Sequence, residues 1–374
     1  MLQSDIKNMN KRIVFDQFRD HRELTRVDVS RRTGISMPSV LKAVQSLITA
    51  HILVPSGEED TALGRKPLKL RFNADAISAF GVEYEGDRLS IGLVKIDGTV
   101  EKHLSVKVAH QFDEQLADHI VRGVRDILTH VDISKRVIAG VGIGIPGAVN
   151  PEEHQILFAP LIGINEATSA QPVIEIVQNA LNWPVFIEND VNTLAIGELM
   201  TRRSRGNCPD DLLFISLGTG VGAGLILNGE LRQGVRHLCG EIGYYANHIS
   251  DFNSRQDEGW LESQLNTDAL MKNFSFDLAS HTPSPTLVDH VAKTLAPAIA
   301  NYVTFLDIET VILGGVLVES FGEALISRLS EVTSQLVLNP LKIEKHIAQE
   351  PGIVGCATVV INQRLNELIC SAAR

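Results

Sequence analysis

The chain has 374 residues, of which 44% are hydrophobic, and a formal net charge of −11. This length predicts two or three domains with ample cores. No apolar run reaches the roughly 18 residues that a membrane-spanning helix needs, and the amino terminus lacks the apolar core of a secretion signal. We therefore expect a cytoplasmic protein with no membrane partner. The cysteines are widely spaced, so we expect reduced, buried thiols at Cys208, Cys239, Cys356 and Cys370.

Charge is divided unevenly along the chain. Residues 1–75 hold 13 Lys and Arg against 9 Asp and Glu, a net charge of +4, while the rest hold 21 against 36, a net charge of −15. A basic module attracts the phosphates of nucleic acid, and an acidic body repels them. Binding to DNA is therefore expected to be confined to the amino-terminal module, and the acidic total does not argue against it.

Residues 25–54 have the pattern of a helix-turn-helix. Thr25 and Asp28 match an N-terminal capping box, and Gly34 supplies the positive φ that a tight turn between helices needs. Ser36 offers a second N-cap. A buried stripe at helical spacing is then predicted in the second helix, formed by Val40, Leu41, Val44, Leu47 and Ile48.

The opposite face of the second helix carries short or basic side chains, which suit a helix in the major groove of DNA. The predicted DNA contacts on this face are Ser36, Met37, Ser39, Lys42 and Ala43, with Ser46 beside them. The alternative interpretation is a three-helix packing unit whose outer face is merely solvated.

Two short strands are predicted at residues 52–56 and 68–72, joined by a turn-rich loop. They form a wing, and Arg65 and Lys66 lie at its tip. A thin cationic tip fits the narrow minor groove of A·T-rich DNA, where the negative potential is strongest.

From residue 79 onward the chain alternates strand-like and helix-like segments, which predicts an α/β fold with two successive lobes and a ligand cleft between them. We place the domains at residues 1–75, 76–200 and 201–374, and we expect the carboxy-terminal helix to return to the first lobe.

Two segments are candidates for the cleft. The glycine-rich residues 218–224 can cradle a phosphate or form a tight hairpin. Asn189 and Asp190 can bind hydroxyl groups, with a carboxylate able to act as a general base, or form an ordinary helix N-cap.

Seven motifs in this order resemble those of the ROK family of repressors, open reading frames and sugar kinases: GRKP, GVGIGIPG, Ala-Pro at 159–160, FIENDVNTLAIGE, SLGTGVGAGLILNGEL, GEIGY and ILGG. The resemblance covers nearly the whole chain, and its amino-terminal module is similar to that of NagC/XylR-type repressors, which the kinases lack. It implies a winged helix-turn-helix followed by a two-lobed actin-like, sugar-kinase-like (ribonuclease H-like) body. It also implies sugar contacts from Asn189, Asp190, Glu241 and Glu262, with Asp190 at the position of the kinase base.

The chain departs from the kinase pattern at the first phosphate motif, D-x-G-G-T, where it has Glu83, Tyr84, Glu85, Gly86 and Asp87. Carboxylates at these positions repel a polyphosphate. We therefore expect no phosphoryl transfer, no catalytic residue and no cofactor. The resemblance also implies a zinc site built from a histidine and a cysteine cluster. Tyr244 replaces the histidine and the cysteines are missing, so we expect no metal.

Two polar sugar contacts of the family are also replaced, an asparagine by Leu161 and a histidine by Tyr244. Because buried polar contacts discriminate strongly between ligands, either the ligand differs from an ordinary hexose or sugar sensing has decayed. The leading hypothesis is a repressor of carbohydrate genes that binds an A·T-rich inverted repeat as a homodimer and leaves it when a sugar or sugar derivative binds. The alternatives are a bifunctional sugar kinase with Asp190 as base, and a repressor whose body senses a protein.

Overall fold

The structure is a computed structural model that describes residues 3–20, 23–58, 68–134, 136–206, 208–248, 258–276, 278 and 282–371. The helices in these ranges are α1 (Gln3–Asp20), α2 (Arg26–Thr33), α3 (Met37–Thr49), α4 (Glu114–Leu128), α5 (Gln171–Leu181), α6 (Asp190–Ser204), α7 (Trp260–Leu265), α8 (Thr267–Phe274), α9 (Pro285–Leu306), α10 (Val316–Ser334) and α11 (Pro351–Ser371). No helix in this part of the chain is both long and apolar enough to cross a membrane.

The strands in the same ranges are β1 (Leu24–Thr25), β2 (Leu53–Glu58), β3 (Leu68–Phe72), β4 (Ile77–Tyr84), β5 (Arg88–Lys95), β6 (Val100–Lys107), β7 (Val137–Ile145), β8 (Ala148–Asn150), β9 (Gln155–Phe158), β10 (Thr168–Ser169), β11 (Val185–Asn189), β12 (Leu212–Leu217), β13 (Val221–Leu227), β14 (Glu230–Leu231), β15 (Thr310–Gly314) and β16 (Lys342–Lys345).

The amino-terminal module, which we call the reader, is a winged helix-turn-helix made of α1, α2, α3 and a sheet of order β1-β3-β2. Thr25 begins α2 with the predicted capping box: its Oγ1 accepts the Asp28 backbone N–H at 3.2 Å, and Asp28 Oδ2 accepts the Thr25 N–H at 3.0 Å. Gly34 follows α2 with a φ of 68°. The capping box and the turn are thus confirmed. Ser36 lies at the N-cap position of α3, but its side chain makes no capping hydrogen bond. Arg65 and Lys66, the predicted wing tip, lie outside the described residues.

The orientation of α3 contradicts two predictions about which of its side chains are buried. Ala43, predicted to face DNA, is only 4% exposed and packs in the reader core, whereas Leu41, predicted to be buried, is 46% exposed. Residues three and four apart share a helix face, so the buried stripe is formed by Val40, Ala43, Val44 and Leu47. Leu41 lies about 100° round the helix from Val40. The Ser46 hydroxyl is buried as well.

The body contains two five-stranded sheets. The first has the order β11-β7-β4-β5-β6, in which β4, β5 and β6 form an antiparallel meander and β7 and β11 are parallel to β4. Helices α4 and α5 cover one face of this sheet with an apolar core, and α11 packs against β4, β5 and β7. The carboxy-terminal helix thus lies on the first sheet, while the domain boundaries stay a prediction.

The second sheet has the order β14-β13-β12-β15-β16, and α9 and α10 pack together over its main apolar core. Helices α7 and α8 are separated at Asn266, whose side chain accepts the Ala269 N–H at 2.8 Å and begins α8. Helix α6 contacts both sheets and packs along α11. Backbones approach closely there: a Cβ on Gly197 would lie 1.9 Å from the Pro351 oxygen, and one on Gly355 would lie 1.8 Å from the Thr193 oxygen.

A buried carboxylate ties the chain that enters α11 to α6. Glu198 is fully buried and accepts the Nε–H of Arg202 at 2.7 Å. It also accepts the backbone N–H groups of Ile347, at 3.1 and 3.0 Å, and Ala348, at 2.9 Å. Arg202 donates through Nη1 to Glu344 of β16 at 2.6 Å. The crossing between the lobes is therefore fixed by charge-assisted hydrogen bonds.

The reader shares an apolar core with the body. Val14, Phe15 and Phe18 of α1 belong to the same buried cluster as Val354 and Ala357 of α11, and α1 also contacts α6 and α3. Full burial of a side chain of this size contributes roughly 1.5–3 kcal/mol, and contact with the body supplies part of that burial. The reader is therefore packed on the body rather than joined to it by a free linker.

The carboxylate of Glu83, near the end of β4, lies beneath the first turn of α11. A Cβ on Gly352 would be 2.1 Å from Glu83 Oε1. Burial raises the pKa of Glu83 to about 8, and the neighbouring carboxylates of Glu85, Asp190 and Glu350 add to the shift. Folding therefore keeps a proton on Glu83 at neutral pH, where the unfolded chain has released it.

We predict that this carboxyl makes the protein less stable as the pH rises. Below the ordinary glutamate pKa both states are protonated; between that value and about 8 only the folded state holds the proton, so the free energy of unfolding falls with rising pH. Glu83→Gln should make the decline from pH 5.5 to 7.5 shallower, by up to about 1.4 kcal/mol per pH unit. Urea unfolding at three pH values measures it, with exposed Glu114→Gln as control. Equal slopes in wild type and Glu83→Gln would contradict the prediction.

Candidate functional site

A cleft of about 310 Å³ lies between the carboxyl end of β11 and the hairpin formed by β12 and β13. The structure brings all the residues of the predicted sugar site into its lining: Asn189, Asp190, Glu241 and Glu262, together with the two replaced positions, Leu161 and Tyr244. Their contact with a ligand stays a prediction. The lining also contains residues that the sequence did not assign to the ligand site, namely Phe158, Cys239, Gly240 and the turn at 146–148. Only the GIPG motif signalled the turn.

Asn189 serves as the N-cap of α6. Its Oδ1 accepts the Asn192 N–H at 2.8 Å, and its Nδ2 donates to the Gly147 oxygen at 2.8 Å and to Asp190 Oδ1 at 3.1 Å. The capping interpretation is thus confirmed for this residue. Because both amide hydrogens are used within the protein, Asn189 mainly positions the turn at Gly147 and the carboxylate of Asp190.

Asp190 lies at the floor of the cleft. Its Oδ1 accepts the Val191 N–H at 2.9 Å as well as the Asn189 amide, which leaves Oδ2 for a ligand. Burial raises the pKa of Asp190 to about 7, and the carboxylates of Glu241 and Glu85 add to the shift. A carboxyl with this pKa can accept a hydrogen bond from a hydroxyl group or donate one near neutral pH.

Two more carboxylates form the opposite wall. Glu241 precedes the 3-10 turn Ile242–Tyr244, and Glu262 lies in the first turn of α7. Burial raises the pKa of both, that of Glu262 to about 7 with help from Glu258 and Glu241. A Cβ on Gly243 would be 2.8 Å from Glu262 Oε2, so this glycine lets the carboxylate lie close to the backbone.

The cleft has no positive charge to balance these acids: among the lining residues that the structure describes, none is Lys, Arg or His. The rest of the lining is largely apolar, and the side chains of Leu161 and Tyr244 are 38% and 46% exposed. The arrangement suits an uncharged ligand with hydroxyl groups on one side and an apolar face on the other.

The glycine-rich residues 218–224 form a hairpin, as the second of the two interpretations predicted. Leu217 pairs with Val221 across the turn, and the Gly218 N–H donates to the Gly220 oxygen at 3.0 Å. That N–H is therefore occupied by the turn itself. Near the cleft rim the altered phosphate motif carries the Glu85–Arg88 ion pair, and a Cβ on Gly86 would lie 3.4 Å from Leu161.

The reader has a second candidate site on the outer face of α3. Ser36 and Lys42 are exposed, Met37 and Ser39 are partly exposed, and the Ser36 hydroxyl is 3.1 Å from that of Ser39. Gln45 is also exposed one turn beyond Lys42 and was missed, although its spacing from Lys42 places it on the same face. DNA contact by these residues stays a prediction.

The thiols are less uniformly buried than expected. Cys356 is buried, but Cys208 and Cys239 are half-buried, and the side chain of Cys370 lies outside the described part of the chain. The described residues contain no group of three His, Cys, Asp or Glu side chains that could hold a metal. Residues 249–257, which follow Tyr244 and precede α7, are not described, so the expected absence of zinc stays a prediction.

Comparison with known proteins identifies a family domain in this chain. Residues 79–258 match the sequence profile of the ROK family. The chain is 27% identical to the xylose repressor of Caldicellulosiruptor bescii, over 96% of this chain and 97% of that protein.

Two solved structures have the same fold. A ROK family transcriptional regulator described as a homologue of the Escherichia coli Mlc protein superposes with a TM-score of 0.77 and 18% identity, over 98% of this chain and 99% of that one. A ROK family glucokinase from Streptomyces griseus, solved with glucose and AMPPNP, superposes with a TM-score of 0.61 and 23% identity, over 75% of this chain and 98% of that one. The chain therefore contains a ROK family domain, which spans residues 79–258.

Proposed function

We propose that this protein is a DNA-binding transcriptional repressor of sugar uptake or catabolism genes, released from its operator when a neutral sugar binds the cleft. The observation that carries the proposal is the shared core: α1 of the reader packs into the same apolar cluster as α11 of the body. A movement of the lobes is thereby coupled to the DNA-reading helix. The full-length similarity to a xylose repressor supports the same conclusion and makes xylose the first sugar to test.

The charge of the cleft selects among sugar derivatives. Asp190, Glu241 and Glu262 lie together with no cation in the described lining, and a sugar phosphate would bring at least one more negative charge among them. At about 4 Å, two like charges repel by roughly 4 kcal/mol near a protein surface. We therefore expect a neutral sugar, whose hydroxyl groups meet the carboxyls and whose apolar face meets Leu161 and Tyr244.

Phosphoryl transfer is the second candidate, because Asp190 has a pKa near neutrality and because ROK glucokinases share the fold. A kinase must also hold the nucleotide polyphosphate and its metal. Here Glu83 and Glu85 replace residues of the phosphate motif, Glu85 raises the negative potential at Asp190, and the described lining of the cleft holds no cation for a polyphosphate. The geometry therefore favours sensing over catalysis.

DNA binding is tested on the outer face of α3. Lys42→Ala should weaken binding to the promoter region of the protein's own gene. The slope of log K against log salt should fall by about 1 for each phosphate that is no longer neutralised. A homodimer on an inverted repeat loses two such contacts, so its slope should fall by about 2. Fluorescence anisotropy at several salt concentrations measures this. Lys272→Ala, an exposed lysine on α8 of the body, is the matched control. Arg65→Ala should weaken binding mainly where A·T-rich sequence flanks the site.

Wild-type protein without salt-sensitive, sequence-selective binding would contradict the DNA-binding proposal. An unchanged salt dependence in Lys42→Ala would instead remove this lysine from the interface. Sedimentation of the complex separates the homodimer from other assemblies, because a dimer on an inverted repeat binds two chains per site.

Ligand class is tested by calorimetry with xylose, glucose and glucose 6-phosphate. We expect a neutral sugar to bind and the phosphate to bind at least about tenfold more weakly, because the cleft carboxylates repel it. Asp190→Asn should reduce affinity for that sugar by about tenfold or more, since a hydrogen bond to a charged group contributes about 1.5–3 kcal/mol. Asp118→Asn, on the exposed face of α4, should bind as wild type does.

Tighter binding of the phosphorylated sugar would contradict the assigned ligand class. If no sugar binds, the body senses something else, and exposed Leu161 and Tyr244 would then favour a protein partner. A coupled ADP-release assay on the same sugars addresses catalysis. We expect no turnover, and turnover that Asp190→Asn abolishes would establish the kinase instead.

A further inference from the structure

A second cavity, of about 460 Å³, lies between the body and α1 of the reader. Arg12 and Asp16 of α1 line it on the reader side, and Glu188 and Gln233 line it on the body side. Glu188 directly precedes Asn189 on β11, and successive side chains of a strand point to opposite sides. The last two residues of one strand therefore face two cavities, the sugar cleft and the junction with the reader.

Glu188 is buried, with 4% exposed, and its oxygens are held by partners on both sides. Oε1 accepts the Asn189 N–H at 2.9 Å and the Asn192 Nδ2 at 3.0 Å, and Oε2 accepts the Gln233 Nε2. Asn192 is in turn the residue that Asn189 caps. Through these hydrogen bonds, a displacement of Asn189 or Asp190 also displaces Glu188.

Gln233 begins a short segment, residues 233–241, whose other end lines the sugar cleft through Cys239, Gly240 and Glu241. The Cys239 N–H donates to the Gln233 oxygen at 3.3 Å, and the Ala223 N–H donates to the Gly240 oxygen at 2.8 Å. The segment is wound tightly, since its backbone has positive φ at Gly234, His237 and Gly240. Movement of Glu241 towards a ligand is therefore passed to Gln233.

On the reader side, α1 lines the junction cavity with Arg12 and Asp16. Its other face carries Val14, Phe15 and Phe18 into the shared core, and α1 also contacts α3, the DNA-reading helix. If Glu188 or Gln233 moves, the surface against which α1 packs also changes.

We propose that the Glu188–Gln233 hydrogen bond is the positioning link that couples the sugar cleft to the docking of the reader, an inference that rests on the proposed sugar-responsive repressor. Both ends of the bond are held close to cleft residues, one through β11 and the other through segment 233–241. Neither side chain belongs to the described lining of the sugar cleft or to the outer face of α3. Their removal therefore acts on the communication between the sites and leaves each site intact.

The test measures coupling: the ratio of the DNA dissociation constants with and without saturating xylose, or the sugar of the calorimetric panel that binds best. In the wild type we expect a ratio in the range of about 5–150, which is typical of allosteric proteins. In Gln233→Ala the ratio should fall to within about twofold of one, while sugar affinity and DNA affinity without sugar stay within about threefold of wild type. Gln363→Ala, an exposed amide on α11 that lines the same cavity, should keep the wild-type ratio.

A rescue pair separates coupling from folding. Gln233→Glu places a second carboxylate against Glu188 and should abolish coupling. The double variant Glu188→Gln, Gln233→Glu restores one amide–carboxylate bond with its direction reversed and should recover coupling. Full coupling in Gln233→Ala, loss of coupling in Gln363→Ala, failure of the rescue, or loss of sugar or DNA binding in Gln233→Ala would overturn this link. A wild type that binds both ligands without any coupling would overturn the proposed function as well.

Discussion

A charge-assisted contact on α6 fixes the rest of the body. Glu198 is fully buried, and a lone carboxylate there would cost several kcal/mol. The Arg202 guanidinium and the backbone N–H groups of Ile347 and Ala348 offset that cost. These amides belong to the segment that leaves the second sheet at β16 and enters α11, so the contact determines where the chain crosses back to the first sheet. Gly197 and Gly355 then allow α6 and α11 to pack backbone to backbone.

Both functional sites depend on this helix pair. The amino-terminal end of α6 is capped by Asn189 and carries Asp190 at the floor of the cleft. Helix α11 also packs against the first sheet and against α1 of the reader. Helices α6 and α11 together thus support the ligand cleft and the surface against which the reader packs. Because packed cores shift between discrete arrangements rather than deforming continuously, a small change at Asp190 has a direct route to the reader.

The sequence predicted features whose signals are local. The capping box at Thr25, the turn at Gly34 and the cap at Asn189 follow from side chains a few residues from the groups they satisfy, and each is present. The orientation of α3 was predicted less well, because choosing between Leu41 and Ala43 requires knowing where α1 lies. A small alanine can belong to either face of a helix, and only packing decides.

The cleft illustrates the same limit at longer range. Asp190 was recognisable from the strand-to-helix junction, but nothing in the spacing of Glu241 and Glu262 indicates that they meet it; only the family resemblance predicted that. The bond between Glu188 and Gln233 had no signal, since it joins β11 to a loop beyond β14.

The acidic cleft favours the binding of a neutral ligand over phosphoryl transfer. Hydroxyl groups of a neutral sugar can both donate to a carboxylate and accept from a protonated carboxyl, and Asp190 and Glu262 have pKa values near 7 that allow either role. A polyphosphate can only accept, and it needs cations that the described lining does not provide. Glu85 strengthens that bias, because its carboxylate raises the negative potential around Asp190. The same charges that favour a neutral ligand therefore oppose a nucleotide.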